Sequence, residues 1–480
     1  MKFQKIFLFI LCVFLLLAAI GFVMPEDGIQ VAEVKLDFPS PQSIFSIKTD
    51  TVIDVEKTLA DLKREADLSQ IKEVEDSLLF FKDYISNNSA RFYLPGNDYT
   101  FLDRFFSLLD SARAGEQAVH ITHYGDSQIE MDRISSTFRQ ALQTLFGGQG
   151  AGIVPAIQPI PSVSVSQSYS GDLSRYAIYG DTTNIRTSHR RYGLLASFSQ
   201  LNGSATVSLR AAGYKQTQPN VKEFSRVILL LGNNEPGFTA TCNGVVRSIE
   251  QAGKGVNTLV WDFDTPVSGT SLSMSGTAEI YGISLEGKSG VSVDNVPMRG
   301  CSGTIFTSLD STVIAQSYSA MNVRMILMQY GGNMMPQIGG EKSISRYMEM
   351  ISRQIKRLQG ANPEALIMFI GPSDMAKRID GEMKTYPYLP AMNDSLRRTV
   401  MANNAVYWDM FHVMGGRNSM SAWVDHSPPW ASTDYIHFTD LGAKEIAVAL
   451  SDAFMVYYQF YRLRQTCNPD LVREFMTETL

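Results

Sequence analysis

Two short stretches hold the residue types that nucleophilic catalysis needs. Residues 124–128 read Tyr-Gly-Asp-Ser-Gln, where an apolar run over 118–124 gives way to a helix-period segment predicted over 129–145. Strand-to-helix junctions of this kind are where open α/β sheets put their active sites. Gly125 permits a tight turn, Ser127 offers a hydroxyl, and the N–H groups of a following helix start can steady a developing oxyanion. The second stretch is Asp434-Tyr435-Ile436-His437, followed by Phe438-Thr439 and another helix-period run. An Asp three residues before a His on one turn brings the carboxylate to one imidazole nitrogen and leaves the other free to take a serine proton. Alone, each stretch is also what an ordinary helix cap or surface turn would supply.

The surrounding pattern supplies elements that would position them. Short apolar runs at 291–296, 323–329, 365–370 and 405–408 read as buried strands, and 341–358 places Ile344, Tyr347, Ile351, Ile355 and Leu358 on one helix face. A long apolar helix is predicted over 441–461, and residues 98–114 read as a core-facing helix. Alternation of this kind implies a parallel sheet covered on both faces. Between these halves, residues 152–287 are rich in Ser, Thr, Gly and Tyr, with strand-like runs at 205–211, 225–231, 258–263 and 270–274 and no helix-period segment. They predict an antiparallel β-sandwich inserted into the α/β domain.

Taken together and in order, the chain resembles the SGNH (GDSL-like) hydrolase superfamily. The resemblance rests on Gly125-Asp126-Ser127, Gly300 within Pro297-Met298-Arg299-Gly300-Cys301, Gly331-Gly332-Asn333, and Asp434 to His437. It covers 98–150 and 291–455, and implies a three-layer α/β/α, flavodoxin-like domain with Ser127 as nucleophile, His437 as base and Asp434 as its orienter. The implied oxyanion hole is formed by the backbone N–H groups of Ser127 and Gly300 and the side-chain amide of Asn333, with no cofactor and no metal. Two positions depart from the common pattern: Gln128 stands where many members have Leu or Ile, and Met334 follows Asn333 where Asp is common. The inserted segment is similar to that of peptidoglycan O-acetylesterases, which carry a carbohydrate-binding-like sandwich between the first two blocks. Tyr169, Tyr176, Tyr179, Tyr192, Tyr214 and Trp261 are candidate sugar-stacking faces there.

Other motifs carry less. Gly148-Gln149-Gly150-Ala151-Gly152 follows a helix rather than a strand, so a nucleotide loop is not expected. His120 and His123 have a metal-like spacing without a third ligand nearby and read as core histidines; His426 has its acid, Asp425, adjacent, a poor triad geometry. Cys12 lies in an apolar span, which leaves Cys242, Cys301 and Cys467, too scattered for a disulfide framework or a zinc site.

Composition bounds the whole. The 480 residues have a net charge of -6 and no basic footprint for nucleic acid, and 44% hydrophobic with 19% charged residues is ordinary globular usage. Lys2 and Lys5 precede an apolar run over 6–24, which predicts an export signal retained as an anchor, with the body outside the inner membrane. The expected organisation is an anchor helix over 1–25, a linker and helical stalk over 26–97, a first hydrolase segment over 98–151, the insertion over 152–287 and a second hydrolase segment over 288–480. The expected activity is removal of O-acetyl groups from an envelope or extracellular polysaccharide at the periplasmic face, or as a secreted protein if the signal is cut. Passing the acyl group to a sugar with a membrane-bound acyltransferase as partner is the alternative on the same residues, and a non-catalytic glycan-binding module is a third.

Overall fold

The computed structural model describes residues 29–31, 34–36, 74–180 and 186–477. Strands β1 (Ile29–Val31) and β2 (Val34–Leu36) pair antiparallel with each other and belong to a separate unit. The expected anchor over 1–25 lies outside the described residues. Among the described residues, no helix is long and apolar enough to cross a membrane.

From Val74 onward the chain forms one compact unit. It begins with α1 (Val74–Asn87), β3 (Phe92–Tyr93), α2 (Asp103–Arg113), β4 (Ala118–Gly125) and α3 (Ser135–Phe146). Eight strands follow: β5 (Gly152–Val154), β6 (Val165–Ala177), β7 (Ser197–Ala211), β8 (Phe224–Asn234), β9 (Phe238–Cys242), β10 (Val245–Ile249), β11 (Gly253–Val267) and β12 (Gly269–Glu286). The alternating pattern then resumes with β13 (Gly290–Pro297), α4 (Ser311–Ala320), β14 (Val323–Gln329), α5 (Glu341–Ala361) and β15 (Leu366–Ile370). A small hairpin of β16 (Ala376–Ile379) and β17 (Glu382–Thr385) precedes α6 (Leu389–Ala402), β18 (Val406–Trp408), α7 (Met410–Val413), α8 (Ser419–Asp425), α9 (Asp440–Thr466) and α10 (Pro469–Thr477).

The apolar runs pair into a six-stranded sheet of order β13-β4-β14-β15-β18-β3. Its first five strands are parallel, and β3 closes the far edge antiparallel to β18. By chain order the parallel strands run second, first, third, fourth, fifth, the flavodoxin-like arrangement. Val119, Ile121, Leu327, Phe369 and Tyr407 are buried, as strands covered on both faces must be. The helix predicted to follow Ser127 starts later, at Ser135. Residues 127–132 make a kinked 3-10 turn, because Glu130 is extended and Met131 and Asp132 take left-handed backbone angles of φ 60 and 66.

The strands β5 to β12 form one connected, wholly antiparallel sheet of eight strands. Its organiser is β12, 18 residues long. The first half of β12 pairs with β7 and β9, the last half with β8 and β5, and a register shift at Ile280/Gly282 separates the two. Such an irregularity turns a strand so that it serves two groups of neighbours. Leu229, Leu231, Trp261, Leu272 and Ile283 gather in the core that these strands enclose.

A second, larger core runs without a break from the parallel sheet into the antiparallel one, joining Tyr192, Leu195 and Tyr281 to Ile326 and Phe369. Charged groups cross the same boundary. His120 on β4 bonds through Nδ1 to Asp294 on β13 and through Nε2 to Glu286 on β12, at 3.1 and 2.9 Å, and all three are buried. Burial alone would lower the imidazole pKa, but the two carboxylates outweigh it and raise it to about 10. His123 takes the opposite course. Burial pushes it down to about 4, and it stays neutral between Gln329 and Ser135.

His120→Leu would leave two buried carboxylates without their cation, so a loss of about 3–5 kcal/mol of stability is expected. Because the folded pKa lies above the unfolded one, the contribution of His120 is complete below pH ~6.5 and fades as the pH rises through about 10. Denaturant midpoints of the two proteins should therefore differ widely at pH 6 and draw together by pH 10.5. An equal gap at both pH values would refute the ion trio.

Candidate active site

The carboxyl ends of the parallel strands open into one cleft of about 590 Å³, lined by residues that follow each of them. Asp126 and Ser127 follow β4, Gly300 follows β13, Asn333 follows β14, Ser373 follows β15 and Met410 follows β18. His437 enters from the loop before α9, whose first turn is capped by Thr439. The stretches read as chemistry in the sequence thus meet at one sheet edge, where such folds place ligands.

The Ser127 hydroxyl lies 2.8 Å from His437 Nε2. On the other side of the ring, Nδ1 lies 2.7 Å from Asp434 Oδ2. The second oxygen of Asp434 accepts from the backbone N–H groups of Ile436 and His437 at 2.9 and 3.0 Å. Partial burial would raise the Asp434 carboxyl pKa; its bonds from the His437 backbone and ring and from Ile436 outweigh this and hold it below the usual carboxylate range. An ionised Asp434 keeps the ring proton on Nδ1, which leaves Nε2 as the acceptor facing Ser127.

Residues outside the expected set hold this line together. Gln128 donates to the Ile436 carbonyl at 2.6 Å, and its Oε1 accepts from Phe438 N–H at 3.4 Å, so it brackets His437 on both sides along the chain. Arg133 donates to the Ser127 carbonyl at 2.8 Å and to the Phe438 carbonyl at 3.0 Å. The sequence signal for Gln128 is its departure from the apolar residue common at this place in the superfamily the sequence resembles: a polar residue there needs a polar partner, and the histidine loop provides it. Arg133 carries no such signal.

The oxyanion candidates divide. Gly300 sits in the cleft wall with φ 74, an angle that favours glycine even though a Cβ there would meet nothing within 4 Å. Asn333 also reaches the cleft, but its Nδ2 donates to Asp126 Oδ2 at 2.9 Å and to the Cys301 carbonyl at 3.2 Å. Burial lifts the Asp126 carboxyl to about 6, against the lowering effect of the Gln128 N–H and the Asn333 amide. Asp126 therefore acts as the anchor of the turn, accepting from Gln128 N–H at 2.9 Å.

The remaining candidates lie elsewhere. His426 stacks on Trp430 with ring centroids 3.7 Å apart, outside the cleft lining. Among the described residues, no group of three or more His, Cys, Asp and Glu is placed to hold a metal ion. Cys242 and Cys301 are buried thiols and Cys467 is a partly exposed one. Of the six aromatic residues considered for sugar stacking, Tyr192 and Trp261 are core residues, Tyr176 stacks on Phe198, and Tyr169 and Tyr214 are exposed. Tyr179 lines a second cavity.

No family model matches the chain, and no curated protein matches it. Solved structures do. A structure described as a peptidoglycan O-acetylesterase in action superposes with a TM-score of 0.59 at 19% identity, over 75% of this chain and 96% of that one. An acetyl xylan esterase matches with a TM-score of 0.26 at 14% identity, over 33% and 79%. A family two carbohydrate esterase from Clostridium thermocellum matches with a TM-score of 0.24 at 9% identity, over 59% and 97%. The chain shares the fold of the peptidoglycan O-acetylesterase structure.

A hydroxyl, imidazole and carboxylate in this order can form a covalent adduct with an electrophile. A fluorophosphonate probe should add its mass once, at Ser127, as read by intact-protein and peptide mass spectrometry. His437→Ala should slow labelling by about 10²–10⁴-fold, and Gln128→Ala should slow it measurably by freeing the histidine loop. Undiminished labelling of the His437 variant would discard the dyad.

Proposed function

We propose that this protein is a serine esterase that removes O-acetyl groups from a cell-envelope or extracellular polysaccharide. The observation that carries this reading is the hydrogen-bonded line Ser127–His437–Asp434 at the carboxyl edge of the parallel sheet. The fold it shares with a chain described as a peptidoglycan O-acetylesterase supports the choice of acyl group and of substrate class.

In this reading Ser127 Oγ attacks the ester carbonyl while His437 Nε2 takes its proton, and Asp434 steadies the resulting imidazolium. The carbonyl oxygen becomes an oxyanion, met by the N–H groups of Ser127 and Gly300 and by the Asn333 amide, which releases one of its two resting acceptors, Asp126 or the Cys301 carbonyl, to do so. Collapse breaks the bond to the sugar oxygen, which leaves with the proton from His437. Water then attacks the acetyl-serine with His437 again as base, releasing acetate and restoring the Ser127 hydroxyl. The antiparallel sheet over 152–286 serves as a carbohydrate-binding module beside this site, and the segment over 1–25 anchors the enzyme outside the inner membrane. Transfer of the acetyl group to a second sugar, with a membrane-bound acyltransferase as donor partner, would use the same acyl-serine and differs only in what resolves it.

Purified full-length protein in detergent should release acetate from O-acetylated polysaccharide and from 4-nitrophenyl acetate. Ser127→Ala should abolish both, and Asn333→Ala should lower kcat about 10²–10³-fold, the usual effect of losing one oxyanion donor. A folded wild-type protein that releases no acetate from either substrate overturns the proposal.

A further inference from the structure

The catalytic cleft is not the largest cavity in the molecule. A second one, of about 650 Å³, lies where the antiparallel strands β5 to β7 meet the carboxyl end of β13. Its size is within the range that holds a drug-sized organic ligand. The two cavities have five lining residues in common: Glu130, Met131, Ile160, Arg299 and Gly300. They are therefore neighbouring compartments with a common wall, and Gly300 belongs to that wall.

The wall is built with effort. Met131 and Asp132 both hold left-handed angles, which costs about 1 kcal/mol or more for each non-glycine residue. Asp132 is fixed there by the fully buried Arg139, which reaches its two oxygens at 2.7 and 3.1 Å, and by the Ser164 hydroxyl. Glu130, nearly buried, is held by Arg299, whose side chain is largely exposed, with Nε–Oε1 at 2.7 Å. The kink directs the chain after Ser127 away from a plain helix and turns Glu130 and Met131 toward both compartments.

The second compartment offers flat apolar rings beside polar edges. Pro155, Pro297 and Tyr179 are among the residues that line it. The Arg175 guanidinium lies 5.6 Å from the Tyr179 ring centroid and donates to its hydroxyl at 2.8 Å, which fixes the orientation of the ring. Sugars present C–H faces to such rings and hydroxyls to charged edges.

We infer that the second cavity is the subsite for the saccharide on the alcohol side of the scissile ester, with Tyr179 as its platform and the Glu130–Arg299 pair at its threshold. The inference rests on the esterase reading and deepens it, by assigning the leaving group a place that a small ester does not need. It makes Tyr179 a specificity-determining residue.

The test compares 4-nitrophenyl acetate with O-acetylated mono- and tri-saccharides of N-acetylglucosamine, using the full-length protein in detergent. The unmodified enzyme should favour the trisaccharide over the monosaccharide in kcat/KM. Tyr179→Ala should lower the ratio of trisaccharide to aryl-ester kcat/KM about tenfold or more, chiefly through KM, and Tyr179→Phe should keep it. Proportional loss on both substrates, an unchanged ratio, or a wild-type enzyme active on the aryl ester but indifferent to saccharide length would each overturn the subsite. Should Tyr179→Ala fail to fold, the length dependence of the unmodified enzyme decides. Failure to cleave any of the esters would sink the esterase reading instead, which keeps the two failures apart.

Discussion

A serine hydroxyl and an imidazole 310 positions apart in the chain stay 2.8 Å from each other only if the loops that carry them are tied together. Catalytic geometry tolerates errors of roughly 0.5 Å, which no pair of free loops would respect. The tie here is a set of side-chain bonds to backbone. Gln128 and Arg133, both close to Ser127, reach the carbonyls of Ile436 and Phe438 on either side of His437. Since the same Arg133 also holds the Ser127 carbonyl, the loops that carry Ser127 and His437 are tied by one guanidinium. The sheet brings the loops near each other, and these bonds fix the distance.

The next layer of constraint is the seam between the two sheets. A buried His120 between Asp294 and Glu286 is not an economical way to gain stability, because desolvating three ionisable groups is costly and a well-packed apolar cluster would often do as well. What the trio adds is position. Asp294 also accepts from Ile153 N–H at 2.9 Å and from the Thr122 hydroxyl at 3.2 Å, so β4, β5, β12 and β13 converge on one carboxylate and its imidazole partner. A slip of one residue in any of these strands would strand a buried charge. Both β5 and β13 also line the compartment beside the Ser127 cleft, so the polar seam and that cavity belong to one construction.

Much of the parallel sheet was legible because buried strands and amphipathic helices announce themselves by composition and period. The run over 323–329 coincides with β14, and the face of Ile344, Tyr347, Ile351, Ile355 and Leu358 is the buried face of α5. The short antiparallel β3 was not legible, since two residues carry no period. The turn after Ser127 reads as helix because nothing in Ile129 to Asp132 forbids one; the kink is imposed from outside, by Arg139 and Ser164 seizing Asp132. In the antiparallel region, fragments of four strands were visible, yet their extents were not. The strand β12 runs 18 residues by switching partners midway, and long-range pairing of that kind leaves no mark on local sequence. At the site, residue types singled out Ser127, Asp434 and His437, which the fold brings into one hydrogen-bonded line, while the supports Gln128 and Arg133 depended on where the two loops cross.

The amide of Asn333 ties the frame of the cleft together. In the resting geometry it bridges Asp126 and the Cys301 carbonyl, joining the turn after β4 to the loop after β13. Both acceptors lie beside Ser127 and Gly300 in sequence, so the bond that orients the amide also fixes the spacing of the two backbone N–H groups expected to flank it. Both N–H groups of the amide are engaged in this way, so it would reach a developing oxyanion only by releasing one acceptor while the other keeps it oriented. Burial of Asp126 adds a second effect. Its carboxyl is lifted to about 6, so above that pH an anion sits at the turn and the bond from Asn333 is charge-assisted; below it the bond weakens.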